Sequence, residues 1–120
     1  MITKFAILLL TVVAIQAATT NETFTVTAYC ACEKCCGKWA QFKKTANGQT
    51  PIEGTTAAAP RRIPFGTKLR IEGLGVRVVQ DRLAKKYDSR IDIYFSSHKK
   101  ALQFGKRQLS VTYDIAPSHE

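Results

Sequence analysis

The chain has 120 residues, room for one domain with a thin core, and carries 18 Lys and Arg against 9 Asp and Glu, a formal charge of +9. Such a basic surface attracts polyanions, yet no RNA- or DNA-binding motif is present, which argues against a nucleic-acid partner. No segment after the first residues is apolar enough to span a membrane, which takes about 20 residues.

Lys4 followed by the apolar run from Phe5 to Ile15 and small residues at Ala17 and Ala18 reads as a signal peptide over 1–17, cut after Ala17 or, failing that, after Ala18. No cysteine sits at the cut, so no lipid anchor is expected. Residues 18–120 then form one exported domain with its core at about 25–114, expected to be a monomer in the periplasm, at the outer membrane or in the extracellular envelope.

Ala18 to Asn21 reads as a short polar leader. Phe24, Val26 and Ala28 alternate with Thr25, Thr27 and Tyr29, the period of a half-buried strand. From Ala31 to Gly54 polar residues, cysteines and glycines predict a long folded-back loop, a length that is usually functional. Thr55 to Ala59 predicts a short strand stopped by Pro60, and Pro64-Phe65-Gly66 a turn. Thr67–Ile71 and Val76–Gln80 read as a hairpin through Gly73-Leu74-Gly75. After a polar loop at Arg82–Ser89, Arg90–Phe95 is a strand with Ile91, Ile93 and Phe95 on one face and Arg90, Asp92 and Tyr94 on the other. Ser97 can cap a helix over His98–Phe104, which Gly105 ends. Gln108–Asp114 alternates again, and the tail from Ile115 should fray. About six short strands and one helix predict a mainly β, closed barrel, because closure removes exposed edges.

Four cysteines, Cys30, Cys32, Cys35 and Cys36, lie within one short stretch. In an exported chain they favour disulfides, with a pairing that avoids joining the neighbours Cys35 and Cys36; a four-thiolate zinc site is the rival. Asp92 stands out among the acids because it lies mid-strand between Ile91 and Ile93, where partial burial holds a carboxyl protonated. The competing reading is a salt bridge to Arg90. Asp81, at a strand end, could meet Asp92 if their strands are neighbours, or could cap the following loop. Tyr29, Tyr94, Trp39 and Phe42 could offer apolar faces to sugar rings, or simply pack in the core. Arg90 shares the Asp92 face and could bind a carboxylate. His98 reads as a surface or capping residue.

Three blocks in order carry a resemblance: Thr27-Ala28-Tyr29-Cys30 with Cys35-Cys36-Gly37-Lys38; Ala57-Ala58-Ala59-Pro60 with Ile63-Pro64-Phe65-Gly66-Thr67; and Ile71-Glu72-Gly73-Leu74-Gly75 with Asp81, Arg90-Ile91-Asp92-Ile93-Tyr94-Phe95, Ser97-His98 and Phe104-Gly105. Together they resemble the 3D, or three-aspartate, domain that also forms the core of membrane-bound lytic transglycosylase A. The resemblance implies a six-stranded double-psi β-barrel with one short helix that cleaves O-glycosyl bonds of peptidoglycan glycan strands. It implies Asp92 as catalytic acid/base and Asp81 as the second family aspartate, with no redox cofactor or nucleotide. Two positions depart from the pattern: Ala59 stands where the first aspartate precedes a proline, and the 82–89 loop lacks the family's glycines. A wall-binding module without catalysis, a metal-binding or redox envelope protein built on the cysteines, and a glycosyl hydrolase using water are the alternatives.

Overall fold

The computed structural model describes residues 18–32 and 44–115. The expected signal segment, Cys35, Cys36, Trp39 and Phe42 lie outside the described residues. Six strands and a helix follow in order: β1 (Ala18–Tyr29), β2 (Thr56–Ala59), β3 (Lys68–Ile71), β4 (Gly75–Arg82), β5 (Arg90–Tyr94), α1 (His98–Phe104) and β6 (Arg107–Ile115). They close in the order β1-β5-β2-β4-β3-β6. Two contacts are parallel, β1 with β5 and β2 with β4, and the rest are antiparallel. Among the described residues every strand therefore has a partner on each side and no ladder ends in a bare edge. The mainly β, closed barrel with one short helix is the class the strand count predicts.

Alternation decides which face is inside. On β5, Ile91 and Ile93 are fully buried while Arg90, Asp92 and Tyr94 are half-buried on the other face. Phe24 and Val26 of β1, Leu69 of β3, Val79 of β4 and Val111 of β6 meet them in one core cluster. Fully burying such side chains is worth about 1.5–3 kcal/mol each, the main favourable contribution in a domain this small. All four residues of β2 are buried, and its two edges pair with β5 and β4. Small alanines suit that place.

Three strand ends differ from expectation. The Ala18–Asn21 leader is strand, because β1 runs back from Val26 to Ala18 against β6, from Arg107 to Ile115. Ile115 is accordingly a paired strand residue rather than the start of a fraying tail. Isolated as sequence, Thr19, Thr20 and Asn21 look like a polar leader; their ladder bonds come from a strand about 90 residues away. β4 likewise continues past Gln80 to Arg82, where its parallel partner β2 supports it after a register shift at Ala57/Ala58.

The helix is as expected. Ser97 adopts an extended backbone (φ −113°, ψ 129°) and its hydroxyl accepts from Lys100 N. Gly105 follows at φ 71°, a conformation that disfavours side chains. Ala101 and Phe104 are the buried residues of α1, and Phe104 belongs to the core cluster. The turn after β2 is held from β4: Arg82 Nη1 donates to the carbonyls of Ile63 (2.7 Å), Pro60 (3.1 Å) and Ala59 (3.4 Å).

Candidate active site

The parallel register of β1 and β5 sets Thr27 beside Asp92 and Tyr29 beside Tyr94. The Asp92 side chain keeps 17% of its surface exposed, so it is largely removed from water but reachable. Arg90 Nε donates both to Asp92 Oδ1 (3.1 Å) and to Thr27 Oγ1 (2.7 Å), and its guanidinium carbon lies 4.7 Å from the Tyr87 ring centroid. Burial pushes the Asp92 carboxyl above the ordinary aspartate range. The charge and hydrogen bond of Arg90 oppose this, Asp81 adds a smaller upward push, and the net direction is up. Both the partly buried acid and the ion pair weighed against it are therefore present together.

Asp81 and Asp92 are not on neighbouring strands. β2 lies between β4 and β5, and Ala58 pairs with Asp81 on one side and Asp92 on the other. Their backbones are thus two strand spacings apart, about 9–10 Å. Asp81 is also committed elsewhere. Its Oδ2 accepts from Tyr29 Oη (2.9 Å), and its Oδ1 accepts from Ala46 N (3.0 Å) and Arg82 N (2.9 Å). Asp81 therefore caps the loop around residue 46 and ties it to the ends of β1 and β4. The Tyr29 ring packs edge-on to Tyr94 with centroids 5.6 Å apart, and both tyrosines are half-buried. The face running from Arg90 through Asp92 to Tyr94 and Tyr29 thus combines a guanidinium, a raised carboxyl and two aromatic rings. Ala59 is fully buried in the core.

An unforeseen grouping lies at the end of the same strand pair. Cys30 directly follows β1 and is 1% exposed. His98, the first residue of α1, places Nδ1 3.4 Å from Cys30 Sγ and 3.3 Å from Cys32 Sγ, with the two sulfurs 2.9 Å apart. Sequence alone could connect Cys30 with Cys32, but not with His98, because nothing local states that β1 and β5 are parallel partners whose ends come out together. An open pocket of about 350 Å³ lies elsewhere, lined by the 64–68 turn, Arg70 and Thr112–Asp114, and includes neither Asp81 nor Asp92. Among the described residues, no helix is long and apolar enough to cross a membrane.

No family model matches the chain. A search of curated proteins finds a similarity, 30% identical over 104 residues, to the Bacillus subtilis (strain 168) protein named "Putative cell wall shaping protein YabE". The aligned region covers 84% of this chain and 25% of that protein, so the chain corresponds to about a quarter of its relative.

Proposed function

We propose, with similarity to a cell-wall protein as the premise, that the chain is a 3D-domain enzyme that cleaves peptidoglycan glycan strands as a lytic transglycosylase. The observation that carries this reading is Asp92: a carboxyl held above its ordinary proton affinity by burial, still reachable, on a face with aromatic rings and a cation. A general acid needs that combination near neutral pH. Asp92 would donate its proton to the bridging oxygen as the glycosidic bond breaks. As a carboxylate it would then take the proton of the sugar's own C6 hydroxyl, whose oxygen closes a 1,6-anhydro ring. One carboxyl serves both steps, so the buried Ala59 and the distance to Asp81 are compatible with the chemistry. A hydrolase would require a second carboxylate to activate water, and Asp81 is engaged by three donors.

In this reading Asp81 orients Tyr29 and raises the proton affinity of Asp92 slightly. Tyr94 and Tyr29 flank the sugar, and Arg90 meets a stem-peptide carboxylate. Residues 1–17 direct export and are removed, leaving a monomer in the cell envelope. The basic composition favours anionic wall material over nucleic acid. A second reading, a wall-binding module without catalysis, is favoured by the Arg90–Asp92 ion pair and by an alanine at the first aspartate position.

The test is mass spectrometry of soluble products after incubation with purified sacculi. 1,6-Anhydromuropeptides that disappear with Asp92→Asn, in a variant with an unchanged circular dichroism spectrum, support the proposal. Reducing-end products would instead indicate hydrolysis. Binding to sacculi without soluble product would sink the enzymatic reading in favour of the module, as would undiminished release by the variant.

A further inference from the structure

We propose that Cys30, Cys32 and His98 bind a zinc ion that staples the exit of β1 to the first turn of α1. This site is separate from the Asp92 face and does not depend on the function proposed for it. The three donor atoms lie within 4.8 Å of one another. Zinc takes thiolate sulfur at about 2.3 Å and imidazole nitrogen at about 2.0–2.1 Å, so tetrahedral sulfur–nitrogen edges come to about 3.5 Å. The observed separations from Nδ1, 3.3 and 3.4 Å, match that edge. The sulfur–sulfur edge of a tetrahedron is about 3.8 Å, so the pair at 2.9 Å has to open by less than an ångström. A rotation about χ1 of Cys32, which is only half-buried, is sufficient for that.

Both anchors are set by regular structure rather than by a loose loop. Cys30 follows a strand end that Phe95 N clamps through Tyr29 O (2.8 Å), and His98 stands on a helix turn fixed by the Ser97 cap. Two thiolates neutralise the charge of Zn²⁺, which makes the centre tolerable beside the nearly inaccessible Cys30. Binding releases two thiol protons to solvent, leaves His98 neutral and coordinating through Nδ1, and involves no redox change. The fourth position goes to water or to another donor of the chain. Cys30 is too inaccessible to be a thiol nucleophile, and a catalytic pair of Cys32 with His98 leaves the equal approach of Cys30 to the same nitrogen unexplained. A disulfide gives no reason for one imidazole nitrogen to sit equally close to both sulfurs.

The experiment uses the full chain purified under reducing conditions and loaded with Co²⁺, then exchanged with Zn²⁺. A thiolate-to-cobalt charge-transfer band with tetrahedral visible absorption, lost on zinc addition, is expected, as is retention of a single zinc per chain by elemental analysis. His98→Asn and Cys32→Ser should each abolish the band while keeping the far-ultraviolet spectrum, and Asp92→Asn should keep it. Chelation should lower the melting temperature of the wild type but not of His98→Asn. Absence of the band, a band unchanged in His98→Asn, or peptide mapping that finds Cys30 or Cys32 in a disulfide in protein purified without reductant would each overturn the site.

Discussion

Replacing Arg90 with Gln removes the cation that opposes the upward push of burial on Asp92. At an Nε–Oδ1 distance of 3.1 Å the gross attraction is about 5 kcal/mol for an effective dielectric of about 20. Desolvation opposes it, as the net upward direction at Asp92 shows. With side chains 31% and 17% exposed, the pair lies between a surface bridge worth about 0.2–1 kcal/mol and a buried one whose breakage costs about 3–5. A coupling of about 1–2 kcal/mol is expected at pH values where Asp92 is ionised. The sign of its pH dependence follows from Asp92. Because its folded proton affinity is raised, the native state holds the proton to a higher pH than the unfolded chain does, and stability from this group falls as pH rises through that window. Arg90→Gln raises the folded value further, so the fall extends to higher pH, while below the unfolded value the ion pair contributes nothing. Urea unfolding of the wild type, Arg90→Gln, Asp92→Asn and the double variant, from acid to neutral pH, measures the coupling as a double-mutant cycle. If the coupling does not grow as pH rises, or persists unchanged in acid, the electrostatic account of Asp92 is wrong. If the chain is the proposed enzyme, Arg90→Gln also moves the alkaline limb of its pH–rate profile upward, since that limb reports loss of the acid's proton.

If the chain is the proposed enzyme, Asp92→Asn should cost about 10²–10⁴-fold in glycan cleavage, about 3–5 kcal/mol of barrier, measured as anhydromuropeptide release. Arg82→Lys should destabilise by about 1.5–3 kcal/mol in thermal unfolding, because a single ammonium does not reproduce the guanidinium that reaches three carbonyls of the 59–63 turn and lies 4.0 Å from the Phe65 ring. Asp81→Leu should speed exchange of the Ala46 amide, which loses its acceptor, and loosen Tyr29. Ile93→Val, at a fully buried site beside Asp92, should cost about 0.5–1.5 kcal/mol in stability, measured by urea unfolding.

Much of the local structure could be read from the chain. The alternation of Arg90–Tyr94 states which side chains face the core, and Ser97 with Gly105 brackets the helix, because side-chain periodicity and caps depend on a few consecutive residues. The same pattern singles out Asp92 as an acid in an apolar strand. What a strand lies next to is not local. The extension of β1 back to Ala18 needed β6, the separation of Asp81 from Asp92 needed β2 between them, and the approach of His98 to Cys30 needed a parallel pairing of β1 with β5. Each of these joins segments tens of residues apart through backbone hydrogen bonds, which any sequence of suitable polarity can make. Only closure of the whole barrel around one core selects among them, and with that choice it selects the neighbours of every polar side chain.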